Sequence, residues 1–171
     1  MYRFWAHFSY TTRHKWYVML ECWKRGLYWR GLKHDLSKYT LREFFPYAYH
    51  FFDENGERYN RVGKPGYSTT EKTGDLDFEK AWFWHQARND HHWQYWVVPG
   101  SDGSFTVMDM DEICIIEMYC DWVGAGIAAN SGGPKEWYDN NKNKLLLSPR
   151  TRERIEYYIE TKGGLNREGE K

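Results

Sequence analysis

With 171 residues, 41% of them hydrophobic and 28% charged, the chain is long enough for one domain with a real core and has the make-up of a soluble globular protein. Lysine plus arginine and aspartate plus glutamate both total 24, so net charge offers no general attraction to nucleic acid or an acidic membrane. No apolar run reaches membrane-span length, the N-terminus has no signal-peptide core, and Cys22, Cys114 and Cys120 give neither a CxxC pair nor an even disulfide set, so a reduced, cytoplasmic setting is expected.

In chain order, Thr11 and Thr12 precede RHKWYVMLECWKR and Gly26 follows, which predicts a helix with an N-cap and a glycine stop. Residues 27–37 read as a second, short helix that carries His34 and Asp35 towards its end. TLRE at 40–43 has the form of a capping box for a third helix, LREFFPYAYHFF, with Pro46 tolerable near its first turns. The glycine-rich, polar segment 53–74 reads as a long loop. Asp75 or Asp77 then caps FEKAWFWHQARN. HHWQYWVV, the PGSDG turn and SFTVM predict a small β-hairpin excursion near 95–108. DMDE at 109–112 looks like a second capping box, opening EICIIEMYCDWVGAGIAA. Pro134 starts a short helix, and Ser148-Pro149 starts the last one, ended by Gly163 and Gly164, before a charged tail (162–171) expected to fray. The expectation is a single mainly α domain over 1–171, with about six helices.

Histidines stand at 7, 14, 34, 50, 85, 91 and 92. His85, Asn89 and His92 share one helical face if that helix reaches far enough, and Glu117 and Asp121 lie at i and i+4 on the long later helix. His14, His34, Asp35, His85, His91 or His92, and Asp121 together make a set of imidazoles and carboxylates without thiolates. Such donors suit one or two ions of Mn, Fe, Co, Ni or Zn at an open site. Each residue alone has an ordinary reading: His7 and His50 as core or surface histidines, His14 as a helix-face histidine, Glu117 as a helix charge. The 19% aromatic content is read mostly as core filling.

The order His14, His34-Asp35, His85, His91-His92, Asp121 resembles the HD superfamily of metal-dependent phosphohydrolases. The resemblance implies an all-helical fold in which His14 matches the first histidine, His34 and Asp35 the doublet, and Asp121 the final aspartate. HDLSK is similar to the HD-x-x-K form of the HD-GYP subgroup, which implies that Lys38 faces the scissile phosphate and that His85, His91 and His92 are further ligands. The chain departs from that subgroup in lacking a GYP-type segment and in having Trp93 where glutamate follows the histidine pair, so a cyclic-dinucleotide substrate is not implied. HKWYVMLECWKRGL, HDLSKYTLREFFPYAYHFF, AWFWHQARNDHHWQYW, EMYCDWVGAG and EWYDNNKNKLLLSP are similar, over nearly the whole chain, to a small bacterial and phage family of unknown function.

The expected function is therefore hydrolysis of a nucleotide or other small phosphate ester. Asp35 would ligate metal, Lys38 would neutralise phosphate charge, and Arg88, Asn89 and Trp93 would contact substrate. The alternative expectation is a non-catalytic binding protein with a closed metal cluster or none. A nucleic-acid binder is disfavoured by the zero net charge.

Overall fold

A computed structural model describes residues 1–59 and 74–164. Among these the chain is mainly helical, with seven α-helices and one two-stranded antiparallel hairpin. The loop expected over 53–74 falls mostly outside the described residues, as does the tail beyond 164. None of the described helices is long and apolar enough to cross a membrane. The chain divides into two compact units, Met1–Arg13 with Asp35–Asn89, and His14–His34 with Asp90–Lys171.

Helix α1 (Tyr2–Lys24) runs through the boundary between Arg13 and His14. It starts well before the expected Thr11-Thr12 cap. The helical repeat already begins with Phe4, His7, Phe8 and Thr11, and His7 and Thr11 are buried, so tertiary packing overrides the threonine cap signal.

In the first unit, a 3-10 turn (Leu36–Tyr39) leads into α3 (Leu41–Phe51), and α4 (Leu76–Arg88) follows. Tyr47, Phe78 and Ala81 form the core between α3 and α4, with the Tyr47 and Phe78 rings edge-on at 5.1 Å. Pro46 lies inside α3 without ending it. Asp75, not Asp77, caps α4 by accepting the Phe78 amide at 3.0 Å. The Thr40–Glu43 capping box does not form: the Thr40 hydroxyl donates to the Ser37 carbonyl at 2.7 Å, and Glu43 turns inward, fully buried. His7 is buried against Phe44, Tyr47 and Phe52, and neither of its ring nitrogens has a hydrogen-bond partner among the described residues. Burial first, and then the nearby charges of Lys38 and Arg58, depress its pKa to about 4.

In the second unit, α2 (Tyr28–Lys33) is short, and Lys15 reaches across to the carbonyls of Leu32 and His34, at 2.6 and 2.8 Å, and satisfies its C-terminal end. The chain then forms the hairpin β1 (Val97–Pro99) and β2 (Phe105–Val107), with Val97 opposite Val107, followed by α5 (Glu112–Ala129), α6 (Pro134–Asn141) and α7 (Pro149–Glu160). Val18, Cys22, Ile115, Met118, Cys120 and Ile155 are at the centre of its apolar core. Ser148 caps α7 by accepting the Thr151 amide at 3.1 Å, an interaction worth about 1 kcal/mol. The expected Asp109–Glu112 box is replaced by tertiary bonds: Asp109 accepts from Ser148 at 2.5 Å, and Glu112 accepts from Arg154 and from Tyr158 at 2.6 Å. Gly124 of α5 lies directly on α1. A Cβ there would sit 2.9 Å from the Val18 backbone nitrogen and would clash with the Val18 side chain.

Candidate metal centre

The second unit brings three of the expected donors together. Nε2 of His14 lies 3.1 Å from Oδ1 of Asp121, and Nε2 of His34 lies 3.4 Å from the same oxygen. The histidines are 4% and 2% exposed, and these three donor atoms all lie within 4.8 Å of one another. The local chain explains the convergence. His14 sits one turn before Val18 on the core face of α1, Asp121 sits one turn before Gly124 and the close approach there, and His34 is fixed where Lys15 closes α2. Burial works against a charge on Asp121, but the adjacent imidazoles of His14 and then His34 outweigh it and hold the carboxyl well below the usual carboxylate range.

Behind His34 lies a second layer. Its Nδ1 is 2.9 Å from Oε1 of Glu117, and Nδ1 of His91 is 3.4 Å from that oxygen. The other Glu117 oxygen accepts from Nε of Arg30, whose guanidinium also pairs with Asp90. Burial tends to raise the Glu117 pKa, and His34, His91 and Arg30 together bring it below its ordinary value. His91 is buried with its ring 4.5 Å from that of His34, and His92 is half-buried beside it at 4.3 Å. Trp93 packs against the apolar core of this unit with Trp96, whose indole donates to the Asp90 carbonyl at 2.7 Å.

The first unit holds Asp35, Lys38, His85, Arg88 and Asn89. The helix expected over 27–37 breaks at the doublet, because Asp35 adopts a left-handed backbone with φ of 54°. That conformation is uncommon outside glycine and costs on the order of 1–3 kcal/mol, so it marks a position the surroundings dictate. Asp35 is 1% exposed, with Oδ1 3.2 Å from Nε2 of His85 and Oδ2 2.5 Å from Nζ of Lys38. Nδ1 of His85 lies 2.9 Å from Oε2 of Glu43, which also accepts from Ser37 at 2.9 Å. Burial opposes a charge on His85, but the Asp35 carboxylate outweighs it, against Lys38 and with help from Glu43, so the imidazole pKa is raised. Asn89 lies just past the end of α4, which stops at Arg88, so the helical face proposed for His85, Asn89 and His92 is not continuous. Its side-chain amide donates to the His85 carbonyl at 2.7 Å. The half-exposed Arg88 comes no nearer to Glu43 than 3.9 Å.

Glu43, Arg30 and Ser37 were not among the residues expected from the sequence, and Glu117 stood there only as the i, i+4 neighbour of Asp121. Glu43 was masked by its capping-box spacing. Glu117 carried a usable signal, since it is a charged residue within the otherwise apolar CIIEMYC run of α5 and one turn from Asp121.

Buried imidazoles and carboxylates at this spacing are groups that could hold a divalent metal. Among curated proteins and among solved structures, none matches the chain. One family model matches residues 3–161, nearly the entire length, and its description is a family of unknown function, DUF5662. With that coverage, and with the site residues from His14 to Asp121 inside it, the chain belongs to the DUF5662 family.

Proposed function

We propose that this protein is a metal-dependent phosphohydrolase that cleaves a nucleotide or another small phosphate ester with water, releasing phosphate and an alcohol. The observation that carries the reading is the convergence of His14 Nε2, His34 Nε2 and Asp121 Oδ1 within the second unit, from three separate helical segments. The order of these residues in the chain, with Asp35 bonded to His34, is the order that resembles the HD superfamily.

When bound, a divalent metal at such a site supplies Lewis-acid charge and acidifies a water. The protein's own part is separate. His14 and His34 offer neutral nitrogen donors, and Asp121, kept anionic, offers the oxygen. Asp35 and His85 of the first unit offer a further donor pair, 3.2 Å apart, for a second ion. Lys38 brings the positive charge that a transferred phosphoryl group requires, and the half-exposed Arg88 is a second cation for substrate phosphates.

The test is metal analysis of the purified protein, followed by a screen of nucleotides and simple phosphate esters with Mn, Fe, Co, Ni and Zn. Stoichiometric metal with cleavage of at least one ester is the expected result. A second reading, a non-catalytic binding protein, draws on the Lys38–Asp35 ion pair, which already satisfies Asp35 with a cation of the chain itself. Full metal occupancy without cleavage of any ester would favour it.

A further inference from the structure

Glu117 is a buried carboxylate with no role in the chemistry above. Its side chain is 4% exposed, and Oε1 lies between two imidazole Nδ1 atoms, nearer to His34 at 2.9 Å than to His91 at 3.4 Å. At 2.9 Å Nδ1 meets hydrogen-bond geometry with Oε1, whereas the approach of Nε2 to Asp121 is looser, at 3.4 Å. The closer carboxylate therefore draws the proton of a neutral His34 to Nδ1, leaving the Nε2 lone pair directed to the side of Asp121. Glu117 could instead be read as a ligand, because with His34 and His91 it forms a group within 4.8 Å. Arg30 argues against that. Its guanidinium occupies the other oxygen of the same carboxylate, and a permanent cation at that position repels a dication and uses the charge a metal would need.

The first unit repeats the arrangement independently. Glu43, fully buried, lies 2.9 Å from Nδ1 of His85, nearer than the Ser37 hydroxyl and the Asn89 amide nitrogen at 3.2 Å each, and Nε2 of that ring faces Asp35 at 3.2 Å. In both units the sequence of groups is aspartate, imidazole Nε2, imidazole Nδ1, glutamate.

We infer that Glu117 is a positioning residue: it accepts a hydrogen bond from Nδ1–H of His34, fixes its tautomer and ring angle, and thereby holds Nε2 as the lone-pair donor beside Asp121. Glu43 does the same for His85. The inference rests on the metal reading for its purpose, but the tautomer it assigns exists without metal. Carboxylates behind ligating histidines tune metal affinity by about 10–100-fold.

The experiment is ¹⁵N–¹H correlation of the imidazoles in metal-free, full-length protein at a pH where both rings are neutral, with Co(II) titration of the same samples. In the wild type, His34 and His85 are expected as the Nδ1–H tautomer. Glu117→Gln is expected to weaken that preference at His34 alone and to lower Co(II) affinity about 10–100-fold. Glu43→Gln is expected to do the same at His85 alone. Glu117→Asp, which keeps the charge for Arg30, should restore part of the tautomer preference and guards against reading simple unfolding as an effect. An Nε2–H tautomer at His34 in the wild type overturns the inference, as does a folded Glu117→Gln protein with unchanged tautomer and affinity. The expected tautomers in a protein that takes up no Co(II) support the assignment of Glu117 and sink the metal reading instead.

Discussion

The two units carry the same chain of groups, Asp121–His34–Glu117 and Asp35–His85–Glu43, but place a cation at opposite ends of it. In the second unit Arg30 neutralises the glutamate at the back, and the aspartate at the front meets the imidazoles of His14 and His34, with no lysine or arginine paired to it among the described residues. In the first unit Lys38 neutralises the aspartate at the front, while the glutamate at the back rests on the Ser37 hydroxyl, with Arg88 only at 3.9 Å. Under the proposed metal reading, a front without such a cation is open to an ion, and a front already holding an ammonium group would have to exchange it. The comparison therefore separates a pre-formed donor set from one that competes with its own lysine, and it assigns different consequences to removing each cation.

The largest effect is expected at Lys38. Lys38→Ala should slow hydrolysis of any accepted ester by on the order of a hundredfold to a thousandfold, or about 2.7–4 kcal/mol of barrier. It should also leave metal uptake unchanged or tighter, because Asp35 loses its competing cation. Steady-state rates and a metal titration on the same variant decide this. A wild-type rate would remove Lys38 from catalysis.

Arg30→Ala should be nearly as costly, but to stability. It leaves Glu117, 4% exposed, as a charge without its cation, at a cost of about 3 kcal/mol read by urea unfolding. Little loss would mean that the back of the second unit's chain is not charge-balanced by Arg30.

His7 sharpens the contrast between a buried histidine without carboxylate partners among the described residues and those with them. Its folded pKa is depressed to about 4 from the ordinary 6.5. Above pH 6.5 neither state binds the proton and its contribution is constant. As pH falls from 6.5 towards 4 the unfolded chain takes up the proton first, so stability is lost, by about 3 kcal/mol in total. His7→Phe should flatten this part of the stability profile. An unchanged slope would show that the imidazole is not held neutral.

Asp121→Ala should abolish the stabilisation that metal confers, about 2.7 kcal/mol at a free concentration ~100 times Kd, read as a lost shift in melting temperature. The smallest effect is expected at Arg88: Arg88→Ala should change stability by less than about 0.5 kcal/mol, as befits a half-exposed guanidinium at 3.9 Å. A loss as large as that of Arg30→Ala would erase the distinction between the two backs.

Helix type and order were legible because they rest on local signals. The Ser148-Pro149 start of α7, the Asp75 cap of α4 and the hairpin between 97 and 107 are written in consecutive residues. Signals with two possible uses misled. Thr40-x-x-Glu43 and Asp109-x-x-Glu112 have capping-box spacing, yet Glu43 and Glu112 bond to residues distant in sequence, which no local pattern encodes. His14, His34 and Asp121 were legible as candidates because each sits near a local landmark. Glu117 was legible only as a charge one turn from Asp121; that it bonds to His34 was not, because that depends on how α5 rotates against its neighbours. The left-handed turn at Asp35 had no sequence signal beyond the tolerance of aspartate for that region.

The missing side chain at Gly124 acts as a gauge. Val18 is one turn beyond His14 and Gly124 is three residues beyond Asp121, so the bare backbone contact between α1 and α5 sets how far apart those two donors stand. Rotamers adjust readily, whereas two helix backbones in contact do not. The calibre of the donor set is thus machined into the main chain. Even a single added methyl group at residue 124 would press on Val18 and force the two helices apart without touching His14 or Asp121.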